Sequence, residues 1–179
     1  MSNIEKAKKE FLINEFCTSS IIAGLSTRNK RFPVYSNHTT DDEKYMLKSF
    51  IREFLKNIWN NHQINRKIDE TLLLSYIEKL KTGIENKFSK FIHDGEFRYG
   101  ISQKIINVFL KFLWVSGEID VPPHAPYDGI IQGRLKGKKL EPWTEITDFS
   151  QYELFVNAAK AVAQDNDIAA WELIEWNKK

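Results

Sequence analysis

The chain has one cysteine, few prolines and glycines, and no long apolar run. Cys17 alone excludes an intramolecular disulfide and a cysteine-based zinc site, and it fits a reducing compartment. Glycine and proline together number 13 of 179 residues, too few for a linker-rich protein. No apolar run approaches the roughly 20 residues that cross a bilayer, and the charged N-terminus lacks the apolar core of a signal peptide. We therefore expect a cytoplasmic protein that does not enter a membrane.

Motifs of several common enzyme classes are also missing. The chain has no G-x-x-x-x-G-K-[ST] phosphate loop, no G-x-S-x-G nucleophile elbow and no H-E-x-x-H zinc motif. His124 has no second histidine or cysteine at metal-ligand spacing. We therefore expect neither a bound metal nor an organic cofactor.

The residues that are present fit one folded domain with an uneven charge. A chain with 42% apolar and 13% aromatic residues can bury a sizeable core, so we expect a single domain over residues 1–179. Residues 1–140 carry 23 basic and 16 acidic side chains, whereas residues 141–179 carry 3 basic and 8 acidic ones. The basic part can bind a polyanion, and it can equally pair with the acidic end inside the fold.

Apolar residues recur at helical spacing through most of the chain. After a T-D-D-E capping box at Thr40, apolar positions follow i, i+3, i+4, i+7, i+8 and i+11 over residues 47–58. The pattern continues over residues 72–91 and 101–115. No stretch alternates as a strand does, so we predict an all-α fold with six to seven helices in an irregular bundle.

Local signals predict where the helices begin and end. We predict a first helix from Ser2 to Phe16, a loop from Gly24 to Thr39 and a bend at Gly83. The further predicted helix starts are N-caps at Asp69, Asp128 and Asp167 and a second capping box over residues 150–153.

The segment G-I-S-Q-K, residues 100–104, opens the most apolar helix. A glycine there can adopt positive φ at no steric cost and leave the next three N–H groups pointing outward. Such groups attract anions, and Lys104 adds a full positive charge one turn later. We therefore predict a phosphate contact at Gly100, Ser102 and Lys104. The alternative is that Gly100 ends a turn and that Ser102 caps a core helix.

The segment P-P-H-A-P-Y-D, residues 122–128, is a loop that three prolines stiffen. Because proline fixes φ, this backbone loses little entropy when it orders. A stiff loop suits a site, so we predict that His124 and Asp128 contribute polar chemistry beside Lys104. The alternative is that the prolines shape a connection, that Asp128 caps the following helix, and that His124 lies at the surface.

Residues 95–128 resemble the core of the helix-hairpin-helix base-excision DNA glycosylases. In that family a G-[VI]-G hairpin opens a helix and a P-V-D follows; here G-I-S-Q-K and P-Y-D match, with Ser102 in place of the second glycine. The resemblance implies that the hairpin grips a DNA phosphate and that Lys104 forms a Schiff base with the sugar. It also implies that Asp128 assists departure of an extruded base.

A second resemblance carries no activity. The same segment, together with A-A-W-E-L-I-E-W-N near the C-terminus, is similar to small bacterial all-helical proteins of uncharacterised function. It supports the helical fold class and nothing about chemistry.

Two loops concentrate positive charge, one over residues 28–31 and one over residues 134–139. If both loops share a face with Lys104, they form the electrostatic footprint of a nucleic-acid-binding protein. The alternative is two solvated loops on different faces. The predicted phosphate contacts are the basic residues of both loops: Arg28, Lys30, Arg31, Arg134, Lys136 and Lys138.

These observations favour a nucleic-acid-binding helical protein, with a divergent glycosylase or lyase as the chemistry that the first resemblance implies. The alternative is a non-catalytic protein that binds another protein or a second copy of itself, because exposed tryptophans and an acidic C-terminal surface are typical of interfaces. A third option is an enzyme that holds a small phosphorylated substrate at the same helix start.

Overall fold

The computed structural model describes residues 2–135, 140–164 and 166–178, and these residues form an all-helical fold. The helices in chain order are α1 (Asn3–Leu25), α2 (Asp41–Asn61), α3 (Glu70–Phe88), α4 (Tyr99–Val115), α5 (Gly129–Arg134), α6 (Phe149–Ala163) and α7 (Ile168–Asn177). The described residues contain no strand, which confirms the predicted fold class. None of the described helices combines the length and the apolar character that crossing a bilayer requires.

Polar side chains cap the helix starts at most of the predicted positions. The Thr40 hydroxyl accepts from the Glu43 amide while the Glu43 carboxylate accepts from the Thr40 amide, which confirms the first predicted capping box. Asp69 caps α3, also as predicted. The predicted capping box over residues 150–153 is wrong. Asp148 caps α6 instead, because its carboxylate already accepts from the amide three residues later.

Helix α1 ends nine residues later than its pattern predicts, at Leu25 and not at Phe16. The predicted loop began at Gly24, but the helix continues to Leu25. Gly24 faces α4 so closely that a Cβ there would overlap the side chain of Ile105. The glycine therefore permits a close helix–helix contact and does not end the helix.

Two further predictions about helix geometry need correction. Helix α3 runs without interruption through Gly83, where the absent side chain lets the ring of Phe50 approach to 3.0 Å of the ideal Cβ position. Asp167 occupies the N-cap position of α7, but its side chain makes no capping hydrogen bond.

Helix α4 lies at the centre of the fold and contacts α1, α2, α3 and α6. One cluster of buried apolar side chains draws on all seven of these helices. A polar side chain on such an enclosed helix either bonds inside the core or opens to a cavity. Both cases occur on α4, and they define the site.

Candidate functional site

Lys104 and Asp128 lie side by side at the wall of a cavity. The Lys104 Nζ is 3.6 Å from the Asp128 Oδ2, and each side chain is 13% exposed. The Trp143 ring covers the ammonium group, with its centroid 4.3 Å from Nζ. The fold thus brings together the predicted amine and the predicted carboxylate.

Two sets of hydrogen bonds hold Asp128 in this position. Its Oδ1 accepts from the amides of Ile130 and Ile131 at 2.9 and 3.1 Å, so Asp128 caps α5 as predicted. The side chain of Gln103 donates to the carbonyl oxygen of Tyr127 and accepts from its amide. One carboxylate oxygen therefore orders α5 while the other faces Lys104.

The cavity has a volume of about 420 Å³ and lies between α1, α4, α7 and the connection before α5; we call it the Lys104 cavity. Such sites between packed helices are typical places for a ligand. Its lining includes Ile22 of α1 and Ser26 directly after it, Lys104, Val108 and Lys111 of α4, and Glu172 and Trp176 of α7.

A second pair of opposite charges lies at the other end of the Lys104 cavity. The Lys111 Nζ contacts both oxygens of Glu172, at 2.9 and 2.7 Å, and Glu172 is only 2% exposed. The centroid of the Trp176 ring lies 4.9 Å from the same Nζ. Sequence reasoning missed this pair, although each charge interrupts an apolar stretch, V-F-L-K-F-L-W and A-A-W-E-L-I.

The start of α4 is not the predicted anion site. The Gly100 amide donates to the Ile146 carbonyl oxygen, and the Ser102 amide donates to the Arg98 carbonyl oxygen. Gly100 is helical, and a Cβ there would overlap the carbonyl oxygen of Trp143. The Ser102 side chain is fully buried. The predicted phosphate contact of Gly100 and Ser102 is therefore wrong in this fold, because their amides are used inside the protein.

His124 lies in the interior and does not line the Lys104 cavity. It is 1% exposed, its Nδ1 is 2.8 Å from the Tyr152 hydroxyl, and its Nε2 is 2.8 Å from the Glu70 Oε1. Burial lowers the pKa of His124, and the hydrogen bond from His124 lowers the pKa of Glu70. Both the predicted place beside Lys104 and the alternative at the surface are wrong for this residue.

The polar contacts of His124 extend to Asp128 through the core. The Asn107 Nδ2 donates to the Tyr152 hydroxyl and to the Gln103 Oε1, each at 3.1 Å. Gln103 in turn holds the backbone of Tyr127, next to Asp128. His124 and Asn107 thus help to position the connection that carries the carboxylate.

The first basic loop contacts the turn that follows Trp143. Arg28, Lys30 and Arg31 are exposed there. The Asn29 Nδ2 between them donates to the Thr144 Oγ1 and the Glu145 Oε1, each at 3.0 Å. These acceptors directly follow Trp143 in the chain, so the loop adjoins the ring that covers Lys104.

The second basic loop is described only in part. Lys136 and Lys138 lie outside the described residues. Arg134, the last residue of α5, is exposed and its Nε lies 3.8 Å from the Glu175 Oε2. Glu175 precedes Trp176, so Arg134 lies near the α7 side of the Lys104 cavity.

In the described ranges, no group of three or more histidine, cysteine, aspartate or glutamate side chains is placed to hold a metal ion. Comparison with protein-family models, curated proteins and solved structures found no match.

Proposed function

We propose that this protein binds nucleic acid on the surface around the Lys104 cavity. The observation that carries the proposal is the contact of the first basic loop with the 144–145 turn, because this turn directly follows Trp143, whose ring covers Lys104. Exposed cations around one cavity attract the phosphates of a strand, and such contacts supply most of non-specific affinity.

Positive charge continues on the other side of α1. A second cavity, of about 400 Å³, shares Ile22 and Ser26 with the Lys104 cavity and is lined by Lys48 and Arg52. The last turns of α1 thus separate the Lys104 cavity, in which two carboxylates accompany the two lysines, from a second cavity that two basic side chains line. A strand that crosses these turns would meet cations on both sides.

Fluorescence anisotropy with labelled single-stranded and duplex oligonucleotides tests the proposal. We expect saturable binding that weakens linearly in a log–log plot between about 50 and 200 mM salt. In the variant Arg28→Ala/Lys30→Ala, the slope for duplex DNA should fall by about 1.8 if both side chains contact phosphate.

The matched control is Lys6→Ala/Lys8→Ala, which removes the same charge from exposed positions near the start of α1. These lysines lie about 30 Å from the basic loop along the helix axis. We expect this variant to keep the salt slope of the unchanged protein. An equal reduction of the salt slope in the two variants would overturn the proposal. So would the absence of oligonucleotide binding at low salt.

The Lys104–Asp128 pair favours a second candidate, base excision with amine chemistry, as the family resemblance implies. A neutral Lys104 amine would attack C1′ of a deoxyribose, the bond from C1′ to the base would break, and the base would leave with a proton. Opening of the sugar ring would then give an imine. Asp128, 3.6 Å from the amine, would stabilise the positive charge that develops on the sugar.

Borohydride trapping tests this chemistry, because it reduces the imine to a stable secondary amine. We expect a covalent adduct with duplexes that contain a damaged or mismatched base, lost in Lys104→Gln and kept in Lys111→Gln. Two outcomes would exclude the excision step by Lys104 and leave the binding proposal standing. One is an adduct that persists without Lys104; the other is no adduct on any substrate while oligonucleotide binding remains.

The alternative of a protein-interaction role also has an observation in its favour. Ile4, Phe11 and Leu12 on α1 are 68%, 63% and 46% exposed, and their spacing puts them on one side of the helix. Contiguous exposed apolar groups mark interfaces. A dimer in sedimentation analysis that dissociates in Phe11→Glu, together with no nucleic-acid binding, would favour this role.

A further inference from the structure

We infer that a single strand of nucleic acid lies in a groove on the α2 side of the last turns of α1, with its phosphates at four cations and one unpaired base on the ring of Tyr45. This inference rests on the proposed function, and it adds the path of the strand and the class of nucleic acid. Three observations carry it: two cavities adjoin each other, their charged side chains are all basic, and an exposed aromatic ring lies at one end.

The groove consists of two cavities that share part of their lining. The second cavity, of about 400 Å³, and a third cavity, of about 560 Å³, have Leu25 and Tyr35 in common. The third cavity continues past the end of α1 to the first basic loop, where Arg28 and Lys30 line it. The two cavities therefore adjoin, and we call them together the basic groove. The first basic loop lies at one end of it and α2 at the other.

The basic groove has positive charge and no carboxylate in its lining. Its charged side chains are Arg28, Lys30, Lys48 and Arg52, and none of the described residues that line it is acidic. The Arg52 guanidinium donates one hydrogen bond to the Thr18 Oγ1, at 3.1 Å, and a guanidinium has five N–H donors. Four cations around one groove are complementary to a chain of phosphates.

The negative charge near the basic groove is weaker than these four cations. The end of α1 carries the negative pole of its helix dipole, which equals about half an elementary charge. The pKa of the Asp41 carboxyl is lowered chiefly by the hydrogen bond from Lys44, at 2.9 Å, and least by the charge of Lys48. Lys44 is thus the nearer cation and offsets this carboxylate. Both lysines of the Lys104 cavity, in contrast, lie next to a carboxylate that repels a phosphate.

Tyr45 offers a face on which a base can stack. It lines the second cavity and is 68% exposed. Tyr45, Lys48 and Arg52 are spaced by three and four residues, which puts them on one face of α2. A cationic groove with an aromatic ring beside it is typical of proteins that bind single strands, because every base has a flat face for stacking. The bases of a duplex stack on one another, so this ring favours a single strand.

Fluorescence anisotropy with three labelled probes, each about 15 nucleotides long, tests the role of Tyr45. The probes are oligothymidylate, the duplex that it forms with oligoadenylate, and an abasic strand of the same charge. We expect oligothymidylate to bind at least about fivefold more tightly than either of the others. Tyr45→Ala should abolish the advantage over the abasic strand, and Tyr45→Phe should keep it. The control Phe149→Ala, which removes a ring that lines neither cavity, should also keep it.

The variant Lys48→Gln/Arg52→Gln tests the path of the strand, because it removes the charge at the α2 end of the basic groove. If both side chains contact phosphate, the salt slope for oligothymidylate should become less steep by about 1.4. Combined with Arg28→Ala/Lys30→Ala, the reduction should reach about 2.8, since one strand then loses all four contacts. Circular dichroism shows whether each variant keeps its helices.

The matched control, Lys6→Gln/Lys8→Gln, removes the same charge outside the basic groove and should leave the salt slope unchanged. Two outcomes would overturn the inference and leave the proposed function standing, provided that Arg28→Ala/Lys30→Ala still weakens binding. One is a slope that Lys48→Gln/Arg52→Gln does not change; the other is equal affinity for oligothymidylate and the abasic strand. No binding of any oligonucleotide at low salt would overturn the proposed function as well.

Discussion

The amide of Gly100 donates a hydrogen bond to the carbonyl oxygen of Ile146 over a distance of 3.0 Å. This bond joins the first turn of α4 to the segment that carries Trp143, the residue that covers Lys104. The glycine is needed for close approach, since a side chain at residue 100 would overlap the Trp143 backbone. The same contact that removes the predicted anion site therefore helps to hold the Trp143 ring over Lys104.

The variant Gly100→Ala should lose stability. The added methyl meets backbone, which cannot rotate away as a side chain can, so we expect a loss of about 1–3 kcal/mol in the free energy of unfolding. Urea unfolding measures it. The control is Gly133→Ala in α5, where a Cβ has nothing within 4 Å. That change should be neutral or stabilise by up to about 1 kcal/mol, and equal losses at the two positions would contradict the close contact.

Substitutions of Asp128 should separate its two roles. Asp128→Asn keeps an oxygen that can cap α5 but removes the charge beside Lys104, whereas Asp128→Ala removes both. We therefore expect the alanine variant to be less stable than the asparagine variant by about 1 kcal/mol. In a Lys104→Met background, Asp128→Asn should lower the free energy of unfolding by less than it does in the unchanged protein, because the charge partner is already absent. Additive losses would show that the two side chains do not interact.

The stability of the protein should fall as the pH is lowered below about 6.5. Burial lowers the pKa of His124 from its ordinary value of 6.5, so in this range the unfolded chain binds a proton that the folded protein does not. The pKa of Glu70 is lowered from 4.5, chiefly by the hydrogen bond from His124, so its contribution is lost only as the pH falls below 4.5. Urea midpoints between about pH 5 and 7 measure the first effect.

The control variants for this pH dependence are His124→Gln and His38→Gln. The first removes the buried ring and should flatten the dependence of the unfolding free energy on pH, although it lowers stability at neutral pH. The second changes an exposed histidine in the loop before α2 and should leave the dependence as it is. Similar pH profiles for His124→Gln and the unchanged protein would contradict the assignment to His124.

Tyr152→Phe should destabilise the core although it removes one atom. The Tyr152 hydroxyl lies within 3.1 Å of both the His124 Nδ1 and the Asn107 Nδ2, and the residue is fully buried. Loss of the oxygen leaves buried polar groups without a partner, which costs about 1–3 kcal/mol. Tyr45→Phe is the control, because Tyr45 is 68% exposed. Thermal unfolding of the two variants gives the comparison, and equal midpoints would argue against the buried network.

The sequence predicted local features well where the signal spans one helical turn. The capping box at Thr40 and the caps at Asp69 and Asp128 are confirmed because each depends on a side chain and an amide two or three residues apart. The predictions at Gly24 and Gly100 failed for the opposite reason. At these two positions the glycine is needed for close contact with a residue distant in sequence. Gly24 packs against the side chain of Ile105, and Gly100 packs against the backbone of Trp143.

The candidate site was predictable only in part. Lys104 and Asp128 stood out because each follows a glycine or proline signal, whereas Lys111 and Glu172 lie within helices and are 61 residues apart. His124 stood out for the same reason as Asp128, yet its ring is buried and lies between Tyr152 and Glu70. A stiff loop determines the backbone, but neighbouring helices decide which way each side chain points.

The sequence by itself determined the helical class of the fold and most helix starts, because apolar periodicity and capping act over a few neighbouring residues. Only the tertiary structure decided which charges meet. Packing of α1 and α7 against α4 enclosed two lysines with two carboxylates from other segments, and it used the amides of the α4 start inside the protein. Such encounters depend on how whole helices pack, a relationship that spacing along the chain does not encode.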